Sequence, residues 1–474
     1  MDRNEIGTAV ASPTKQFFVR MLTRDIELSD ALLDLLDNCV DGILRSGQAK
    51  ADGLKPYEGF NATLTLSKDH FSIEDNCGGI PYAIAQKYAF AMGRPPGVEE
   101  GGTQGKVGMY GIGMKRAIFK LGSDARIESR NDRSFFVEIN AKWMGENSWN
   151  DLPIYELPEG SIEAGSTKIF VTKLHPDISL AFAQSKWIDE FRKAIARHYA
   201  IIIEKGFSVV VGTPDEIARG LAPIKAEPFR LLLAKPDHGG QMIEPFIYNG
   251  KIRGVDVEIY AGLYRPLLNE DELDEEDDTR ASTDDAGWTV ACNDRIVIWK
   301  DKTKLTGWGE GTVPNYHGQF IAITGIVLLR ADDPKKLPLT TTKRGIEGAS
   351  DVYLDVKDIM RDSTKALTSF TNKWKRFPEK LATLYQASEY ADLPGLRSIA
   401  SSAEMDTVRK YPEMKKVEPR LPVPPEEKTS TRVSFVALKK DVEFLGKHFF
   451  DDAKAKPAAV GEAAFNQSLG DAKK

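Results

Sequence analysis

Apolar residues recur at helical spacing through residues 25–46, DIELSDALLDLLDNCVDGILRS, where Leu28, Ala31, Leu32, Leu35, Leu36, Ile43 and Leu44 make one broad stripe. The spacing predicts a helix, with Asp34, Asn38 and Asp41 at i, i+4 and i+7 on a second face. At about 100° per residue these three fall within about 60° of one another. Such a face is either an ordinary solvated one or a rigid mount for a water and a metal ion beside a phosphate. Alternation over residues 62–66 (ATLTL) and 70–73 predicts a strand pair about the turn Ser67-Lys68-Asp69. Further helices are expected over residues 82–92, 113–121, 187–203 and 350–375, and strands over 125–129, 134–140, 167–172 and 208–211. A second block begins near Leu221, with strand signals at 251–260, 288–299 and 319–329.

Between these elements the pattern breaks. Residues 1–16 read as a loose arm and residues 93–105 (GRPPGVEEGGTQG) as a mobile loop without an apolar anchor. Residues 269–285 are strongly acidic and read as a solvated loop. The Pro, Lys and Glu of 412–425 suggest a linker, 433–450 one amphipathic helix, and 451–474 a frayed tail.

Composition narrows the class. A chain of 474 residues has room for two or three domains with proper cores. The net charge of -6 gives no overall basic footprint for nucleic acid. Cys39, Cys77 and Cys292 are odd in number and far apart, which disfavours a zinc module or a disulfide framework and fits a reduced, cytoplasmic setting. The first residues lack the apolar core of a signal peptide, and no apolar run of about 18 residues suggests a membrane span.

Two loops carry candidate chemistry. Residues 105–117 read GKVGMYGIGMKRA. Gly108, Gly111 and Gly113 let backbone approach a phosphate closely, and the helix start beyond them offers free N–H groups. Lys115 and Arg116 add positive charge. The same pattern also serves as a plain loop-to-helix turn. GxxxxGK[ST] is absent, so this is no Walker loop, and a Rossmann fingerprint fits poorly. The other loop is the turn DNCGGI, opened by Asp75. A carboxylate there can accept from an exocyclic amine and so tell adenine from guanine, unless it only initiates the turn. Thr167 could hydrogen-bond behind Asp75, or simply start its strand.

An acid/Asn/Asp helix, then DNxGG, then GxxGxG, then Gly165-Ser166-Thr167-Lys168-Ile169, in that order, resembles the GHKL ATPases. That family includes the gyrase B subunit, the ninety-kilodalton heat-shock chaperone, MutL, MORC proteins and sensor histidine kinases. The resemblance covers roughly residues 15–215. It implies an α/β (α+β) fold, a Bergerat-type sandwich with a mixed, largely antiparallel sheet under helices, and it implies ATP and Mg2+ as ligands. By the same resemblance, Asn38 coordinates Mg2+, Asp75 reads adenine, and Gly79 and Ile80 complete its turn. Gly108, Tyr110, Gly111, Ile112, Gly113, Met114 and Lys115 form the phosphate loop, residues 93–105 the lid, and Thr167 supports the adenine site.

Two positions depart from the family. Asp34 stands where a glutamate general base is usual, and a carboxylate one methylene shorter implies slow hydrolysis. Cys77 stands where the first glycine of DxGxG is usual, and with Cys39 it places a thiol near the nucleotide, unless both are ordinary buried cysteines. WTVACNDRIVI (288–298) resembles the transducer strands of MutL, MORC and gyrase, and PLTTTKR (338–344) the loop whose lysine, here Lys343, reaches the terminal phosphate. The expected division is an arm over 1–16, an ATPase domain over 17–220, a ribosomal-protein-like βαβ transducer over 221–380, and a helical and linker region over 381–474. The expected activity is Mg-dependent ATP hydrolysis driving an ATP-dependent homodimer that acts on a protein or DNA-associated partner and spans no membrane. A client-protein remodeller and a component of a prokaryotic defence system both stay open. The alternative is a nucleotide-binding scaffold or chaperone-like protein with negligible turnover.

Overall fold

The computed structural model describes residues 7, 13–49, 55–92, 112–145, 151–234, 243–267, 285–340, 345–375, 377, 388–419, 421–424 and 433–473. Gly108, Tyr110, Gly111, Lys343 and the segment 93–105 lie outside these residues. Met1–Val423 form one compact unit and Pro424–Lys474 another.

Within the first unit, two sheets organise the chain. The first contains β1 (Asn61–Leu66), β2 (His70–Asp75), β3 (Gly122–Arg130), β4 (Ser134–Ile139), β5 (Ile154–Glu156), β6 (Ser166–Leu174) and β7 (Ser208–Gly212). Their spatial order is β5-β4-β3-β6-β2-β1-β7, and every pair is antiparallel except β1 with β7. The alternation read in the sequence buries Ala62, Leu64 and Leu66 of β1 and Phe71 and Ile73 of β2. Around this sheet lie α1 (Lys15–Arg24), α2 (Leu28–Ser46), α3 (Tyr82–Ile84), α4 (Gly113–Leu121), α5 (Ala141–Gly145), α6 (Pro176–Phe182), α7 (Ser185–His198) and α8 (Ala200–Glu204). Leu32, Leu35, Leu36 and Ile43 of α2 share one core with Leu64, Ile73, Ile127, Val171 and Ile195. Burying each such side chain contributes about 1.5–3 kcal/mol. Helix α2 starts at Leu28, because Glu27 stays extended, and stops at Gly47 in the left-handed conformation. The helix expected over 82–92 is shorter: α3 passes into a π-turn at Ala85–Ala89.

The second sheet holds β9 (Phe246–Ile252), β10 (Val255–Leu263), β11 (Gly287–Cys292), β12 (Arg295–Asp301), β13 (Ile323–Arg330), β15 (Asp406–Val408) and β16 (Tyr411–Val417) in the order β12-β11-β13-β10-β9-β16-β15, with β8 (Arg230–Ala234) and β14 (Ser388–Asp392) paired beside β10. Strand β11 runs parallel to β13, and the other pairs are antiparallel. Its central strands are buried on both faces, which is why β11 and β13 read as nearly unbroken apolar runs. One face meets the helix Asp351–Trp374 through Val356, Ile359, Leu367 and Phe370. The other meets Ala200 and Ile201 of α8 and Leu393 and Leu396. The fold is therefore a mixed α/β one with mixed sheets.

Three expectations are corrected. Residues 412–417, read as the start of a linker, belong to β16, which pairs with β9 and has Met414 fully buried. Pro412 and the lysines fit a strand near a sheet margin, where a missing N–H and extra charge are tolerated. In the second unit, the helix expected over 433–450 begins only at Lys439. The tail expected to fray forms a second helix, Pro457–Ala472, opened by Pro457 at its first turn. Gly446 has no Cβ, so Val460 packs closely against the first helix of the pair.

Candidate functional site

Helix α2 is not a solvated amphipathic helix. Every residue from Ala31 to Ile43 is buried except Asn38, which is exposed. Asp34, Asp37 and Asp41 are each under a tenth exposed. Buried carboxylates are costly unless paired. Asp34 forms an ion pair with Arg116 of α4. Asp37 accepts from Arg295 Nε at 3.0 Å and from the Tyr199 hydroxyl.

The surroundings of α2 change in order along its length. At Asp34 the neighbour is the start of α4: a Cβ added to Gly113 would lie 3.4 Å from Asp34 Cβ. Ile112, at the N-cap of α4, offers no side-chain acceptor, so the first amides of that helix are not capped in that way. Arg116 is one turn into the helix, with its Nε buried and without a hydrogen-bond partner among the described residues. Lys115 is also buried and donates from Nζ to the Ala89 carbonyl at 2.9 Å, so it ties α4 to the π-turn. Met114 is half-buried against the core below.

Further along, α2 meets the turn after β2. Cys39 Sγ lies 3.5 Å from Asp75 Oδ2. A Cβ on Gly42 would sit 2.6 Å from the Cys77 carbonyl, and one on Gly78 would sit 2.8 Å from Ser46 Cβ. Eight residues of helix separate Asp34 from Gly42, a rise of about 12 Å. Asn38 lies midway, between the α4 start and the Asp75 turn.

The turn itself is clamped. Asp75 Oδ1 accepts from the Cys77 amide at 2.8 Å. Gly78 donates to the Gly165 carbonyl at 2.7 Å, and its own carbonyl accepts from Asn131. Gly79 takes φ 68°, and any Cβ there would meet the Arg130 carbonyl at 2.5 Å. Ile80 donates its amide to Ser129 Oγ at 2.8 Å. Asp75 is in register with Thr167 across β2 and β6, and Thr167 with Ser129 across β6 and β3. The two hydroxyls lie 3.2 Å apart. The three side chains thus make a polar row across the end of the sheet. Burial pushes the Asp75 carboxyl up to about 6, against the Cys77 amide, which lowers it. The Cys39 thiol is held well above its ordinary range by its hydrogen bond with Cys77 and by burial, and burial likewise raises Cys77.

The second sheet reaches the same helix. Asn293 and Asp294 both take positive φ in the two-residue turn between β11 and β12, as a tight hairpin requires. Asp294 pairs with Lys205 and Arg330. Arg295 lies over the Tyr199 ring, 4.7 Å from its centroid, and His198 Nδ1 is 2.7 Å from the Ile296 carbonyl.

Asp34, Asn38, Asp75, Gly79, Ile80, Ile112, Gly113 and Thr167 are therefore gathered about one region. Lys115 lies beside it but turned to Ala89. Sequence reasoning missed Ser129, Asp37 and Arg295, whose partners are remote in sequence. It also passed over Gly42, which a glycine inside a helical pattern could have flagged. Two open clefts among the described residues lie elsewhere. One of ≈ 460 Å³ is bordered by Arg24, Glu27 and Asp177, and one of ≈ 380 Å³ by Arg253, Asp355 and Lys410. Neither contains Asn38, Asp75 or Gly113, and the charges of the second are spent in pairing, Arg253 with Asp355 and Lys410 with Asp358. Among the described residues, no helix is long and apolar enough to cross a membrane. Neither a family model nor a curated protein matches this chain.

Proposed function

We propose that this chain binds Mg-ATP along α2 and hydrolyses it slowly, as a Bergerat-type ATPase joined to a transducer-like second sheet. The observation that carries the reading is Asn38, the single exposed position on a buried stretch of helix, between the start of α4 and the Asp75–Thr167 pair. That order suits a nucleoside triphosphate lying with its base at Asp75 and its phosphates at α4. The Asp75 carboxylate accepts from the exocyclic amine of adenine, where guanine would present a carbonyl oxygen. Thr167 and Ser129 fix the polar floor beside it. The first amides of α4 and the unpartnered Nε of Arg116 suit the phosphates, and Gly113 lets them approach. Asn38 fits as the ligand for Mg2+, which when bound neutralises phosphate charge.

Asp34 is the candidate base, but its carboxylate is shared with Arg116. It can orient water only as Arg116 turns toward the phosphates, which favours slow turnover. This same ion pair supports the second reading, a nucleotide-binding scaffold. In the first reading ATP also brings two chains together, with Lys343 sensing the terminal phosphate. Phosphate release by wild type, Asp34→Ala, Asn38→Ala and Lys343→Ala separates the two. A slow Mg-dependent rate lost in all three variants supports the ATPase; the same background rate in all four proteins supports the scaffold. Sizing with a non-hydrolysable ATP analogue should give a dimer, and only monomer at high concentration would refute the gating.

A further inference from the structure

Two of the three cysteines converge on Asp75. Cys39 comes from α2 and Cys77 from the turn after β2, and both are almost wholly buried. The two sulfurs and a carboxylate oxygen of Asp75 all lie within 4.8 Å of one another. We propose that Cys39, Cys77 and Asp75 form a binding site for a thiophilic divalent cation of the zinc class. The site itself stands on this geometry; its effect on nucleotide rests on the function proposed above.

The donor set suits such a cation and does not suit magnesium, which takes oxygen ligands. Tetrahedral zinc, with bonds of about 2.3 Å to sulfur and about 2.0 Å to oxygen, places its ligand atoms roughly 3.5–3.8 Å apart. The Cys39 Sγ–Asp75 Oδ2 separation is already 3.5 Å. No separation has to close by more than about 1 Å to meet that geometry.

The carboxylate is also oriented. Its Oδ1 is held by the Cys77 amide at 2.8 Å, which turns Oδ2 toward Cys39, as a supporting hydrogen bond does around a metal ligand. The cluster is short of donors. The single Cys39 S–H faces both the Leu35 carbonyl at 3.4 Å and Asp75 Oδ2 at 3.5 Å, and can satisfy one at a time. Cys77 Sγ is held as weakly, 3.8 Å from the Asn61 carbonyl and beside the Cys39 thiol. A cation answers both deficits. Each thiol releases its proton to solvent as its sulfur binds the metal, and the weak sulfur hydrogen bonds are given up. Asp75 is the least buried of the three, and it is the residue that the proposed function sets against the base. A carboxylate oxygen engaged by the metal is withdrawn from the adenine amine, so the metal and ATP compete.

Cobalt(II) titrated into the reduced full-length protein, without nucleotide, reads the site directly. The expected result is one equivalent bound, with sulfur-to-cobalt charge-transfer absorption and intense tetrahedral visible bands. Zinc should displace it. Cys39→Ser and Cys77→Ser should each weaken binding at least about 10-fold, and Cys292→Ser should not change it. Wild type without the charge-transfer band, or a Cys39→Ser/Cys77→Ser protein that keeps it, overturns the proposal. A fluorescent ATP analogue is then titrated with and without zinc. Zinc should weaken its binding to wild type at least about 10-fold and leave Cys39→Ser/Cys77→Ser unaffected. Cobalt binding in a protein that never binds the analogue leaves the metal site standing and removes the nucleotide reading. Analogue binding without the cobalt bands does the reverse.

Discussion

Removing Arg295 tests how the second sheet is tied to α2. Its side chain is 6% exposed and that of Asp37 1%. Nε donates to Asp37 Oδ1 at 3.0 Å, and the guanidinium covers the Tyr199 ring. Burial works against its charge, but Asp37 beside it holds the Arg295 pKa above its usual value. Arg295→Met keeps most of the volume and removes the countercharge, leaving a buried carboxylate beside the Tyr199 hydroxyl. Breaking such a pair from one side costs about 3–5 kcal/mol. Replacing both partners by apolar groups is often close to neutral, so Asp37→Leu/Arg295→Met should recover most of that loss. Urea unfolding followed by tryptophan fluorescence measures it. The expected result is a large fall in midpoint for Arg295→Met and a much smaller one for the double variant. A loss under about 1 kcal/mol, or a double variant that simply adds the two single losses, refutes the reasoning.

Gly42→Ala should lose about 1–3 kcal/mol and weaken nucleotide binding, because its Cβ would drive the Cys77 carbonyl and the Asp75 turn away from α2. Gly113→Ala meets only ordinary contacts at Asp34, so chemical denaturation should show unchanged or slightly raised stability while titration shows weaker ATP binding. Thr167→Val should weaken ATP binding about 3–10-fold with little loss of stability, read by calorimetry and melting of the same samples. The raised Asp75 pKa sets a pH window: the folded protein holds this proton more tightly than the unfolded chain does. Its stabilising contribution is complete below the ordinary carboxylate range and is lost as pH rises through about 6. Asp75→Asn should therefore gain stability relative to wild type between pH 5 and 8, while wild-type ATP affinity rises over that interval as the carboxylate ionises. A flat profile for both would remove Asp75 from the base site.

What was readable in the sequence was local. The stripe of α2, the alternation of β1 and β2 and the glycines of the Asp75 turn each encode their own geometry. The β2–β6 register brings Thr167 opposite Asp75, while the Thr167 hydroxyl lies 3.2 Å from Ser129 Oγ, a partner with no local signal in the sequence. The burial of the α2 carboxylates was not readable, since Arg116 is 82 residues from Asp34 and Arg295 is 258 from Asp37. A pattern of charges on a helix looks solvated until partners from other elements arrive. Residues 412–417 carry a linker's composition because a strand near a sheet margin can be polar and keep only Met414 inside. The tail shows no helical signal in its pattern because its alanines lack an apolar period, although they favour helix.

Calorimetric titration of wild type and Asp75→Ala with ATP and with GTP, each with magnesium at pH 7.5, tests the central claim most directly. ATP should bind wild type with GTP at least about 10-fold weaker, and Asp75→Ala should lose ATP binding by a similar factor or more. No ATP binding by wild type, equal binding of the two nucleotides, or full ATP binding by Asp75→Ala would contradict it.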